Sequence, residues 1–90
     1  MKTIEELKHL LIKSFPTEKI YLFGSRAKGT ASAYSDYDIA IESHTSLKKK
    51  ITQIKSRIEE SSIPYKIDLV ELSKAPYLQE IIKKEGILWH

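Results

Sequence analysis

The sequence predicts an α+β fold, a small mixed β-sheet with helices packed on one face. Three observations carry this. Apolar residues recur at helical spacing from Ile4 to Leu11 and again from Leu47 to Ile58. Three short apolar or alternating runs, bounded by Gly, Pro and Ser, read as strands. The two kinds alternate along a chain of 90 residues, which supports one modest core and no separate substrate-binding lobe. Residues 1–90 are therefore expected to form a single domain.

The elements follow in order. Thr3 and Glu6 make a capping box ahead of Ile4, Leu7, Leu10 and Leu11, and Phe15-Pro16 ends this first helix. Lys19 to Phe23 is short, apolar and aromatic and reads as a buried strand. Residues 24–35 are rich in small residues and form a loop, with a short helical turn expected at Ser25 to Lys28. Asp36 to Glu42 alternates strictly, placing Tyr37, Ile39 and Ile41 on one face and Asp36, Asp38 and Ala40 on the other. Leu47, Ile51, Ile54 and Ile58 form the stripe of an amphipathic helix, with Thr45 or Ser46 as its expected cap. Tyr65 to Leu72 is a third strand with Asp68 in its apolar middle, where burial is expected. Ser73 to Gly86 reads as a last helix, capped by Ser73, with Pro76 in its first turn and Gly86 closing it in the left-handed conformation. Ile87 to Trp89 adds a short edge strand or docks an apolar tail.

Composition narrows the function. Hydrophobic residues at 41% and charged residues at 30% fit a globular chain. No apolar run approaches a membrane span, and the N-terminus lacks the apolar core of a signal peptide, so a cytoplasmic protein is expected. The absence of cysteine excludes disulfides and thiolate metal sites. A net charge of +3 is a mild bias toward phosphate-bearing partners. The lysines from Lys48 to Lys50 lack interleaved aromatics and read as a solvated helix face, so direct nucleic-acid binding is not expected.

The chemistry concentrates in YLFGSRAKGTASAYSDYDIAIE, residues 21–42. On a strand, Asp36 and Asp38 point to the same side with α-carbons roughly 6.5 to 7 Å apart. Two such carboxylates repel unless a cation lies between them. Oxygen donors without His or Cys select Mg²⁺ or Mn²⁺, and Mg²⁺ fills its other positions with water and phosphate oxygens. Gly24 permits a sharp turn and close approach, and Ser25 with the following amides forms a donor cradle for a phosphate, to which Arg26 and Lys28 add charge. Asp68 is a natural third carboxylate, able to complete a two-metal site or accept the proton of an attacking hydroxyl. Tyr34 could stack on a base, accept a self-modification, or simply pack. His9, His44 and His90 have no ligand spacing.

Gly24-Ser25, ten intervening residues, Asp36-x-Asp38 on a strand and Asp68 on a later strand together resemble the nucleotidyltransferase superfamily of DNA polymerase beta, specifically its minimal members. The resemblance implies a nucleotidyltransferase palm-like core in which Gly24 and Ser25 bind the outer phosphates of ATP. It further implies that Asp36 and Asp38 ligate two Mg²⁺ ions, while Asp68 completes one ion and assists deprotonation of the acceptor. Larger relatives append a helical domain, whereas minimal members are often encoded beside an all-helical HEPN-type toxin and transfer AMP from ATP to one of its tyrosines. That resemblance implies an antitoxin whose partner is both substrate and missing wall. The alternatives are a non-catalytic nucleotide-binding antitoxin and transfer to RNA or a small molecule. Leu78, Ile81, Ile82, Ile87, Leu88 and Trp89 exceed what one terminal helix needs for its own core. They either seal the sheet or, with Trp89 as anchor, meet a partner or a second copy.

Overall fold

The computed structural model of the chain describes residues 2–29 and 36–90. Its elements are α1 (Ile4–Ser14), β1 (Lys19–Phe23), α2 (Ser25–Lys28), β2 (Tyr37–Glu42), α3 (Lys48–Glu59), β3 (Ile67–Glu71), a 3-10 turn (Leu72–Lys74), α4 (Leu78–Glu85) and β4 (Ile87–Leu88). The sheet runs β3-β2-β1-β4. β1 pairs antiparallel with β2 and β4, whereas β2 and β3 are parallel, which makes the sheet mixed.

Alternation within the strands divides the core. Ile20, Leu22, Ile39, Ile41 and Leu69 face α1 and α3, where they bury Leu7, Leu11, Phe15, Ile51, Ile54 and Ile58. Ala40, with Tyr21, Phe23 and Val70, faces the other way and packs against Leu72, Ala75, Leu78 and Ile82. Thus α1 and α3 cover one face, and α4 with the 3-10 turn covers part of the second.

Several local expectations are corrected. The α3 N-cap is Leu47, which offers no side-chain cap, so neither Thr45 nor Ser46 serves. The cap comes instead from across the fold: buried Glu71, at the end of β3, accepts a hydrogen bond from the Leu47 amide at 2.5 Å and faces Lys74 Nζ at 3.5 Å. Ser73 lies in the 3-10 turn, and α4 starts only at Leu78. Gly86 is extended, with φ −68° and ψ 145°, not left-handed. Glycine is needed there for space, because a Cβ would stand 2.6 Å from the Ile82 carbonyl oxygen and 2.9 Å from its Cγ2. Trp89 is half-buried against the larger core with Lys8 Nζ 5.7 Å from its ring centroid, so it seals the sheet; Tyr77, Ile81, Ile87 and Leu88 remain exposed.

The Glu71 contact yields a stability prediction. A charged hydrogen bond to a buried amide contributes about 2 kcal/mol, so Glu71→Ala should lower Tm by roughly 10 °C. Thermal denaturation followed by circular dichroism measures this, and an unchanged Tm would show that α3 is capped some other way.

Candidate active site

The register builds the site. Asp38 stands opposite Phe23 of β1 on one side and opposite Asp68 of β3 on the other. Partners in register on neighbouring strands project to the same face, about 4.8 Å apart. Gly24 follows Phe23 directly, so Gly24, Asp38 and Asp68 make a row across three strands at one end of the sheet. Asp36 precedes β2 by one residue and belongs to the same end. Ala40 and Val70, one step further along β2 and β3, lie under the smaller core cluster, and Asp38 and Asp68 mark where that cover stops.

Gly24 is required here for two reasons. Its φ of +77° is one that L side chains rarely adopt. In addition, a Cβ would overlap Asp38 Oδ2 and stand 3.3 Å from its Cγ. The carboxylate therefore rests against bare backbone where β1 turns into α2. Amides of Ala27 and Lys28 return to the Gly24 carbonyl at 3.1 and 3.2 Å, closing that helical turn.

Charge at this end is unbalanced. Asp38 is held above its ordinary carboxylate pKa, first by burial and then by the charges of Asp68 and Asp36. Asp36 and Asp38 are half-buried, whereas Asp68 is exposed, which corrects the expectation of burial: it sits at the head of β3, beyond the apolar cover. Among the described residues no three His, Cys, Asp or Glu side chains are gathered tightly enough to enclose one ion. The donor set nevertheless fits a hard divalent cation, because the row consists of oxygen donors whose mutual repulsion a cation would relieve.

The raised pKa gives a second prediction. A carboxyl whose folded pKa exceeds its unfolded value favours folding while protonated, and that contribution is lost as pH rises through the folded value. Metal-free Asp38→Asn should therefore melt a few degrees above the wild-type chain at neutral pH, with the difference vanishing below the carboxylate range. An Asp38→Asn chain that melts lower at neutral pH would contradict the repulsion.

Arg26 and Lys28 of α2 meet side chains of neighbouring elements. The Arg26 guanidinium lies 4.4 Å from the Tyr37 ring centroid and 5.2 Å from that of Tyr65, and the two rings meet edge to face at 5.2 Å. Lys28 Nζ pairs with Glu85 at 3.2 Å, tying α2 to the end of α4. Tyr65, Tyr37 and Glu85 drew no functional reading from sequence; the aromatic pair flanking two strand heads was the available signal. The expectation for Tyr34 lies outside the described residues. A separate cavity of about 450 Å³, bordered by Lys19 and Glu42, opens at the opposite end of the sheet, away from the carboxylate row.

Known proteins resemble this chain in sequence and in fold. A family model described as "Polymerase beta, Nucleotidyltransferase" matches residues 5–89. The chain is 35% identical over 80 residues to the "Probable protein adenylyltransferase MntA" of Haemophilus influenzae, a match covering 87% of this chain and 70% of the relative. Among solved structures, a toxin-antitoxin complex with AMP-PNP superposes with a TM-score of 0.65 at 27% identity, covering 92% of this chain and 72% of that one. An MntA-HpeT toxin-antitoxin complex bearing a tyrosine-to-alanine mutation gives a TM-score of 0.73 at 26% identity, covering 98% and 72%. A third, in which two aspartates separated by one residue are replaced by glutamate, gives 0.65 at 26%, covering 92% and 72%. No helix among the described residues is long and apolar enough to cross a membrane.

Proposed function

Because this chain belongs to the polymerase beta family of nucleotidyltransferases, we propose that it is an antitoxin that transfers AMP from ATP to a tyrosine hydroxyl of a helical, HEPN-type toxin. The observation that carries this reading is the row of Gly24, Asp38 and Asp68, with the Asp38 carboxylate resting where a Gly24 side chain would be. The likeness to a protein adenylyltransferase and to toxin-antitoxin complexes supports the choice of acceptor. The mutated aspartate pair of one such complex has the spacing of Asp36 and Asp38.

In this reading Asp36, Asp38 and Asp68 would hold two Mg²⁺ ions, which when bound neutralise the triphosphate and activate the hydroxyl. The bare backbone at Gly24 and the amides opening α2 receive the outer phosphates. Asp38, central in the row, would hold the cation that supplies the charge needed to settle the α-phosphate between the Gly24 and Asp68 ends. Asp68 accepts the tyrosine proton as the phenolic oxygen bonds to the α-phosphorus, the bond to the β-phosphate oxygen breaks and pyrophosphate leaves. Arg26, stacked on Tyr37 and Tyr65, and Lys28, paired with Glu85, anchor α2 in place and contribute positive charge toward the nucleotide.

The test is the fate of the label. With ATP labelled at the α-phosphorus the partner protein should become labelled, and with ATP labelled at the γ-phosphorus it should not. The reverse pattern would make the chain a kinase, and no labelling from either would favour a non-catalytic antitoxin.

A further inference from the structure

On the sheet face opposite the carboxylate row, α3 and β3 leave a groove between them. Two clefts, of about 380 and 280 Å³, meet there at Lys55. Ile51 and Ile58 of α3 and Ile67 and Leu69 of β3 make its apolar floor. Its exposed rim carries Lys48, Lys55, Lys66 and Lys74 against Glu59 and Asp68. Buried Glu71 lines the smaller cleft, and its Oε2 has no hydrogen-bond donor among the described residues, although Lys74 Nζ stands 3.5 Å away. We propose that this groove docks an extended, acidic segment of a protein partner, with apolar side chains turned to the floor and carboxylates to the lysines. Docking there is independent of AMP transfer, because a chain without transferase activity would keep the same groove.

The positive charge of this rim does not serve the helix. Acidic residues favour a helix N-terminus and basic ones disfavour it, yet the first turn of α3 holds Lys48, Lys49 and Lys50 and no acid. An acidic occupant relieves that repulsion, whereas a second copy of this chain would bring the same lysines and add to it. Glu71 distinguishes between polyanions. A peptide backbone carries N–H donors that can satisfy Oε2, whereas a nucleic-acid backbone brings phosphate charge instead. The length fits as well: β3 runs Ile67–Glu71, alongside which about five extended residues would lie.

The probe is a fluorescently labelled peptide of about ten residues alternating glutamate and leucine, compared with its lysine-leucine counterpart and with a labelled single-stranded DNA of similar length. Anisotropy at low salt should show the acidic peptide binding about tenfold more tightly than either. Titrated into isotope-labelled protein, it should shift the amide resonances of Ile51, Lys55 and Leu69. Lys48→Glu combined with Lys55→Glu should weaken its binding about tenfold or more without lowering Tm, since an acid in the first turn of α3 suits the helix. Lys83→Glu combined with Lys84→Glu, the same change of charge on α4, should leave binding unchanged. The acidic peptide N-methylated at alternate residues should bind severalfold more weakly, having lost donors for Glu71. Equal binding of the acidic and basic peptides, tighter binding of the DNA, an N-methylated peptide that binds as well, or self-association of the chain that the Lys48 and Lys55 changes abolish would each overturn the proposal. A chain that fails to bind ATP with Mg²⁺ would instead overturn the nucleotidyl-transfer reading and leave the groove as it stands.

Discussion

Asp38→Asn should reduce AMP transfer on the order of a thousandfold, the loss expected when a central electrostatic group of a transfer site is removed. Its register explains the size of the effect. Asp38 touches the Gly24 backbone on one side and pairs with Asp68 on the other, so its removal separates the phosphate end of the row from the acceptor end. The same variant should bind ATP with little dependence on Mg²⁺, whereas the wild-type chain should bind it far more tightly with the ion than without. Calorimetric titration with and without Mg²⁺, beside a transfer assay, measures both. A variant that keeps most of its transfer, or a wild-type chain equally avid in both conditions, would remove Asp38 from the metal site.

Gly24→Ala should be nearly as damaging, for a different reason. The left-handed backbone alone costs an L residue about 1 to 2 kcal/mol, and the added methyl would also overlap the Asp38 carboxylate. Gly29 separates the two effects, since its φ is +75° but nothing among the described residues lies within 4 Å of where its Cβ would be. Gly29→Ala should therefore lose some stability and keep ATP binding. Gly24→Ala should lose stability and weaken ATP binding about a hundredfold, as the displaced carboxylate closes the approach. Equal ATP affinity in the two variants would show that the contact between Gly24 and Asp38 does not shape the nucleotide site.

The site was legible in the sequence wherever its logic was local. Alternation along Asp36 to Glu42 placed both aspartates on the face away from Ile39 and Ile41, and the short turn at Ser25 to Lys28 followed from the breakers around it. What escaped reading was non-local. Asp68 was read as the third carboxylate, but that it stands in register with Asp38 depends on a parallel pairing across a helical crossover, which composition cannot specify. Arg26 and Lys28 follow a Gly-Ser pair, but the side chains they meet, Tyr65 and Glu85, are distant in sequence. The α3 cap comes from Glu71 across the fold because Leu47 has no acceptor to offer. Gly86 has the position of a left-handed helix stop, yet it is glycine because the chain passes close over Ile82 on its way into β4.

The central claim is that the carboxylate end of this sheet transfers AMP to a partner tyrosine. The direct measurement is the intact mass of the proposed toxin partner, after incubation with the chain, ATP and Mg²⁺, followed by fragmentation to locate any modification. The account predicts a mass increase of one or more AMP units on tyrosine, present with the wild-type chain and absent with Asp38→Asn. A partner that is neutralised while its mass stays unmodified would contradict it and leave inhibition by contact alone.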